Sequence, residues 1–225
     1  MRLASYNIRK AIGLDRRRDP ARILDVVNQI GADVIVLQEA DKRLGPRPTA
    51  LPRQLISDHT DYAPVDLSVT DVSIGWHGNA ILVKKGLQVD DPQRIDLPGL
   101  EPRGAVSAVI EGRLRVVGVH LGLMRRHRHG QIRQIRKALE HCTRPTAVLG
   151  DFNEWSPHAG LDEFHGQFEI VAPGKSYHAS RPMAALDRIG LSHEIDLKRG
   201  GVIETQLARV ASDHLPVWVE ITLPE

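Results

Sequence analysis

Four segments of the chain place oxygen or imidazole side chains directly beside runs of apolar, largely β-branched residues. Val34 to Leu37 is followed by Gln38-Glu39, Arg115 to Val119 by His120, and Ala147 to Leu149 by Gly150-Asp151-Phe152-Asn153, while Ser212-Asp213-His214 immediately precedes the last apolar run. Together they supply three carboxylates, two histidines and an asparagine. Loops at strand ends are where a rigid sheet presents reactive groups. An oxygen-rich donor set without cysteine suits a hard divalent cation such as Mg2+ (or Mn2+), which keeps several waters and takes few carboxylates. A histidine held by a carboxylate beside such a cation can deprotonate a water, and the cation neutralises phosphate oxygens. Hydrolysis of a phosphate ester is the chemistry these residue types suit.

The elements that must position these groups are legible from local signals. Arg2 to Ile8 reads as a β run. Asp19 is an N-cap with Pro20 at the first helical position, Ile23, Leu24, Val27 and Ile30 form an apolar stripe, and Gly31 closes the helix. Asp33 to Leu37 reads as a strand buried on both faces. A short helix is expected around Leu51 to Ser57. Strand-like pieces follow at Asn79 to Val83, Leu87 to Ile95, Ala105 to Ile110 and Leu114 to Val119, the last two joined by the turn residues Glu111-Gly112-Arg113. A second helix is expected from His129 to His141, then a strand from Thr146 to Leu149, and a final strand from Leu215 to Leu223 in which Val217, Val219 and Ile221 alternate with Trp218 and Glu220. Many strands mixed with few helices predict an α/β fold, a four-layer sandwich of two packed mixed β-sheets flanked by helices, as a single domain over residues 1–225. The final strand is a candidate exposed edge for pairing with another subunit; oligomeric state is not legible.

Composition narrows the field. The 225 residues have a formal net charge of only +2, so a polyanionic partner would have to be met by local clustering. Cys142 is the sole cysteine, which excludes an intrachain disulfide and disfavours a cysteine zinc site; it reads as a small buried residue near a helix end. His127, His129 and His141 lack a zinc-ligand spacing. No run of about 18 apolar residues occurs, and the start MRLASYNIRK lacks the features of a secretory leader, so a cytoplasmic location without a transmembrane segment is expected.

Ser5-Tyr-Asn7, Leu37-Gln-Glu39, Gly78-Asn-Ala80, Val119-His-Leu121, Gly150-Asp-Phe-Asn153, Leu186-Asp-Arg188 and Ser212-Asp-His214 resemble, in order and spacing, the motif series of the endonuclease/exonuclease/phosphatase family. The resemblance implies that Glu39 is the principal metal ligand, with Asn7 and Asp213 in or just outside the coordination shell. It implies that His214 is the general base or a stabiliser of the phosphate, oriented by Asp187. Asp151 and Asn153 then position the nucleophilic water and the scissile phosphate, and His120 stabilises or protonates the leaving side. Asn79 and Arg103 are candidates for holding the phosphate, Arg because its fork donates to two oxygens at once. The histidine at 120, where apurinic endonucleases carry a tyrosine, is closer to the deoxyribonuclease and sphingomyelinase branches.

The implied activity is a divalent-metal-dependent phosphodiesterase acting on a nucleic acid or a phospholipid head group. A phosphomonoesterase acting on a small molecule or phosphoinositide is the alternative, and a catalytically dead phosphate-binding relative a third reading, against which the filled metal and acid/base positions argue. Arg125-Arg-His-Arg-His129 is either a phosphate-neutralising patch or a solvated, helix-initiating charge run. Trp76 and Trp155, each beside a motif, are candidates for substrate contact or for packing.

Overall fold

A computed structural model describes residues 1–42, 45–157 and 159–224. Two six-stranded mixed sheets form its centre. In the first, the strand order is β11 (Asp196–Val202), β12 (Val217–Thr222), β1 (Arg2–Asn7), β2 (Val34–Gln38), β4 (Ala80–Lys84), β3 (Tyr62–Pro64). In the second it is β5 (Val89–Leu97), β6 (Arg103–Ile110), β7 (Leu114–His120), β8 (Thr146–Asp151), β10 (Asp187–Ser192), β9 (Phe168–Val171). Each sheet contains one parallel pair, β1 with β2 and β7 with β8. A parallel pair needs a crossover, and here each crossover carries a helix: α1 (Pro20–Ile30) in the first case, α3 (Arg125–Ala138) in the second. Two shorter helices, α2 (Arg53–His59) and α4 (Ala208–Ala211), are the other α-helices among the described residues.

Strand alternation sorts the apolar side chains into layers. Val34 and Val36 of β2 face the second sheet and join Leu3, Val106, Val116, Leu149 and Ile189 in the core between the sheets. Ile35 and Leu37, pointing the other way, pack with Ile23, Leu24 and Val27 of α1. On the far side, Ile132 and Ile135 of α3 cover Val117, Val119 and Val148. These clusters make a four-layer arrangement and explain why β2 reads as a continuous apolar run: both of its faces are buried. Gly118 allows the sheets to approach closely, since a Cβ there would stand 2.6 Å from Val36 Cγ1.

The sequence signals set α1 to the residue. The Asp19 carboxylate accepts from the Arg22 amide at 3.0 Å, and Gly31 closes the helix at φ 60°. Elsewhere the expectations shift. α3 begins at Arg125, four residues earlier than its apolar stripe suggests, because its basic first turn is anchored rather than solvated. Arg128 is 4% exposed; it donates to Glu154 at 2.6 Å and to the carbonyls of Gly122 and Leu123. Arg125 also forks onto Glu154, at 2.8 and 3.1 Å. The final strand is not an edge: β12 lies between β11 and β1, with Val217 and Val219 fully buried. Its outer neighbour β11, with the sequence DLKRGGV, has too much charge and glycine to read as a strand. Cys142 is half-buried against the α3 core cluster rather than enclosed. Among the described residues no helix is long and apolar enough to cross a membrane.

Glu154 joins three elements. Besides binding both α3 arginines, its backbone carbonyl accepts from Arg188 of β10 at 2.9 Å, and Arg188 also donates to Ser156 O at 2.7 Å. Burial alone would raise the Glu154 carboxyl, but Arg125, the Ser156 amide and Arg128 outweigh it and hold the group down to about 2. A depressed carboxyl contributes stability that is present above its unfolded value, roughly 4.3, and is lost as pH falls toward about 2. Glu154→Gln is expected to lower the unfolding free energy by about 3–5 kcal/mol at pH 7, with the gap to wild type narrowing between roughly pH 4.3 and 2; urea titrations across that range measure it, and a gap independent of pH contradicts it.

Candidate active site

Strand register assembles the site. In the second sheet His120 pairs with Asp151 and Asp187 pairs with Asp151, so three polar residues lie abreast across β7, β8 and β10. In the first sheet Asn7 is level with Gln38, which puts Glu39 one residue beyond the end of β2. The two parallel pairs thus present their C-terminal ends together, where open α/β sheets form ligand crevices. Asn7 Nδ2 spans from one sheet to the other, donating to Asp151 Oδ2 at 3.1 Å.

Asp151 is the focus of this arrangement. Its Oδ1 accepts from the Asn153 amide at 2.9 Å; its Oδ2 stands 3.4 Å from His120 Nε2 and 3.7 Å from His214 Nε2. His214, just before β12, is held from behind by Asp187, whose Oδ2 is 2.7 Å from His214 Nδ1. Asp187 is fully buried; its amide donates to Ser176 Oγ at 3.2 Å, while Oδ1 is buried without a partner. Tyr177 packs its ring against His214 at 4.9 Å. Burial raises the Asp151 carboxyl to about 6 despite the attraction of His214. For His214, burial opposes the charged form, but the carboxylates of Asp187 and Asp151 overcome it and raise the imidazole to about 10. The two carboxylates thus favour the imidazolium form of His214.

Glu39 belongs to the first sheet, one residue beyond the end of β2. It lies at φ 54°, a left-handed conformation that is costly for a side-chain-bearing residue. Its backbone is held on two sides, by the Lys10 amide donating to Glu39 O at 3.1 Å and by the Ala40 amide donating to Gly78 O at 2.8 Å. The Glu39 carboxylate pairs with the Lys10 ammonium. Lys10 belongs to a turn, Arg9 to Ala11, in which three successive residues have positive φ, at 46°, 55° and 59°. Arg9 of the same turn pairs through Nε with Asp213 at 3.4 Å. The turn that follows Asn7 therefore aims a cation at each of two carboxylates, Glu39 and Asp213.

The remaining residues have mainly positioning contacts. Asn153 donates through Nδ2 to Leu121 O at 2.8 Å and sits at φ 52°. Asn79 is fully buried and donates to Gly104 O at 2.8 Å. Arg103 is 6% exposed, pairs through Nη2 with Glu101 at 2.8 Å, and lines a cleft that Glu39 and His120 also line. Asp151, Asp187 and His214 each offer an atom within 4.8 Å of the others, a grouping able to hold a metal ion. Glu39 and Asp213 are not members of that group, and Asn7 reaches it through Asp151; the Glu39 carboxylate is a hard oxygen donor on which a positive group already rests. Lys10, Tyr177 and Glu154 escape a reading of motifs. Lys10 and Glu154 are sequence neighbours of motif residues, Asn7 and Asn153, and that adjacency was the available signal.

A sequence profile described as the Endonuclease/Exonuclease/phosphatase family matches residues 4–214. The uncharacterized protein YbhP of Escherichia coli K12 is 26% identical, over 99% of this chain and 96% of its own length. Among solved structures, the mannosyl-6-phosphatase Bt3783 of Bacteroides thetaiotaomicron superposes with a TM-score of 0.75 at 18% identity, covering 99% of this chain and 100% of its own. TDP2 of D. rerio, complexed with a single-strand DNA product, superposes with a TM-score of 0.74 at 16% identity, covering 99% and 98%. At these identities the structural likeness establishes the fold.

If the Lys10 ammonium occupies the place a divalent cation takes beside Glu39, removing it relieves the competition. Lys10→Met is expected to tighten Mn2+ binding on the order of tenfold, the effect of about 1.4 kcal/mol, read from the free-ion signal in electron paramagnetic resonance. Unchanged or weaker binding shows that the two cations do not share that position.

Proposed function

The chain belongs to the endonuclease/exonuclease/phosphatase family, whose members are hydrolytic phosphoesterases and generally depend on a divalent metal, and from that premise we propose that it is a phosphodiesterase working with Mg2+ or Mn2+. The observation that carries the reading is the buried Asp187–His214 pair, 2.7 Å apart, with the Asp151 carboxylate on the opposite nitrogen. A structural ion pair needs only one carboxylate. A second, buried carboxylate facing Nε2 gives a position where a proton moves between an acid and a base with both held in place.

In this reading Glu39 holds the cation, with Asn7 and Asp213 adjacent to it. The cation, when bound, stabilises charge on the phosphate oxygens. The oxygen of a water attacks phosphorus and the bond from phosphorus to the leaving oxygen breaks. Asp151, with its raised proton affinity, takes the proton of that water, and Asn153 fixes the Asp151 carboxylate through its amide. His214, kept charged by Asp187, donates through Nε2 to a phosphate oxygen. His120 delivers a proton to the leaving oxygen. Arg103, in the cleft beside Glu39 and His120, holds the substrate's phosphate; Asn79, fully buried, supports the backbone at Gly104. The substrate is a phosphate ester, with nucleic acid and phospholipid head groups the diesters to test.

Hydrolysis of bis(p-nitrophenyl) phosphate is expected to depend on Mg2+ or Mn2+, to stop with chelator, and to fall at least about 100-fold in Glu39→Ala, Asp151→Asn and His214→Ala, each assayed below its own melting temperature. Cleavage of p-nitrophenyl phosphate alone moves the protein to the phosphomonoesterases. Wild-type turnover in any of the three variants removes that residue from the site.

A further inference from the structure

Glu39 and His120 line a cleft of about 100 Å3 together with Lys42, Arg47, His77 and Arg103. A single water needs only roughly 10–15 Å3, so the cleft has room for a polyatomic group. Asp151, Asn7 and His214 do not line it. In the reading above, in which His120 serves the leaving oxygen, a group in this cleft lies on the leaving side.

Its donors are arranged in advance. Arg103 is 6% exposed and uses Nη2 on Glu101, which leaves its Nε buried without a partner. Arg47 Nη1 lies 3.0 Å from His77 Nδ1. An arginine can only donate, so His77 accepts at Nδ1 and, while neutral, carries its proton on Nε2 as a further donor. Burial and the Arg47 charge both keep His77 below its ordinary range, in keeping with that tautomer. The imidazole is also fixed by the Trp76 ring, 4.3 Å away, and Trp76 occupies space that only a glycine at 104 leaves open, since a Cβ there would stand 2.6 Å from the indole. Besides Glu39, which pairs with Lys10, two carboxylates share the walls. Asp41 is buried and accepts the Ile74 amide at 3.1 Å, and the side chain of Glu101 is 48% exposed. Neither carboxylate engages the Nε of Arg103, and neither is the partner of Arg47 at His77.

Resting on the phosphodiesterase reading, we propose that this cleft is a subsite for a second phosphate group of the substrate, adjacent to the ester that is cleaved and that Arg103 holds, with Arg47, Lys42 and His77 as its own donors. Arginine forks and an imidazole N–H recognise an anion with several oxygens, whereas a neutral alcohol would leave most of these donors unused. The substrate class is then a phosphate ester that carries a second phosphate on its leaving side, and an isolated diester is a poor substrate.

The test compares thymidylyl-thymidine with its 5′-phosphorylated and 3′-phosphorylated forms in Mg2+. Wild type is expected to cleave one phosphorylated form at least tenfold better in kcat/KM. Arg47→Ala is expected to lose most of that preference, and Arg47→Lys to retain part of it. Equal kcat/KM for all three dinucleotides in wild type overturns the subsite while leaving phosphodiesterase activity standing. If wild type cleaves neither these nor bis(p-nitrophenyl) phosphate, the phosphodiesterase reading itself has failed. Titration calorimetry of inorganic pyrophosphate in chelator then decides the cleft alone: binding in wild type that weakens at least tenfold in Arg47→Ala supports the subsite, and no binding overturns it.

Discussion

Three ionisable groups, Asp151, Asp187 and His214, are buried within a few ångströms of one another where the two sheets end. Isolated charges in such a place are prohibitively costly, and a pair is tolerated only with good geometry and further hydrogen bonds. That constraint organises the rest of the structure. The antiparallel register of β8 and β10 sets Asp187 opposite Asp151, the Asn7 amide and the Asn153 amide satisfy Asp151 from two directions, and the Ser176 hydroxyl accepts from the Asp187 amide. Each contact comes from a different segment, so the cluster exists only when both sheets are complete and packed.

Support is concentrated just behind the cluster. Glu154 follows Asn153 and Arg188 follows Asp187, and the two residues are bonded to each other, with Arg125 and Arg128 of α3 completing the join. The basic run that resembles a polyanion patch is therefore partly consumed inside the protein. At the ends of both sheets the same need for precise placement is met by backbone strain: Glu39 and the Arg9 to Ala11 turn beside the first sheet, and Asn153 beside the second, hold positive φ, and each is secured by hydrogen bonds from neighbouring segments.

Local chemistry made much of this legible in advance. Asp19, Pro20 and Gly31 bound α1 because capping acts within one turn, and the β2, β7 and β8 runs are visible because strands buried on both faces must be apolar throughout. The motif residues at their ends follow from those boundaries. What escaped depends on long-range pairing. β11 is a strand by virtue of β12 beside it, not of its own sequence, and without it β12 reads as an edge. Arg128 looks like a solvated charge until Glu154, 26 residues later, is folded against it. Lys10 gains its place on Glu39 from an unusual turn that no propensity anticipates.

The central claim is that buried Asp187 and Asp151 hold His214 as an imidazolium, with Nδ1 fixed and Nε2 presented to the reacting groups. The most direct measurement is the nitrogen chemical shift of the His214 ring in metal-free protein, followed from pH 5 to 9. Both ring nitrogens are expected to remain protonated across that range, consistent with a group raised to about 10, and the titration to move to lower pH in Asp187→Asn. A wild-type His214 that loses its proton near 6.5, the ordinary value for histidine, would contradict it.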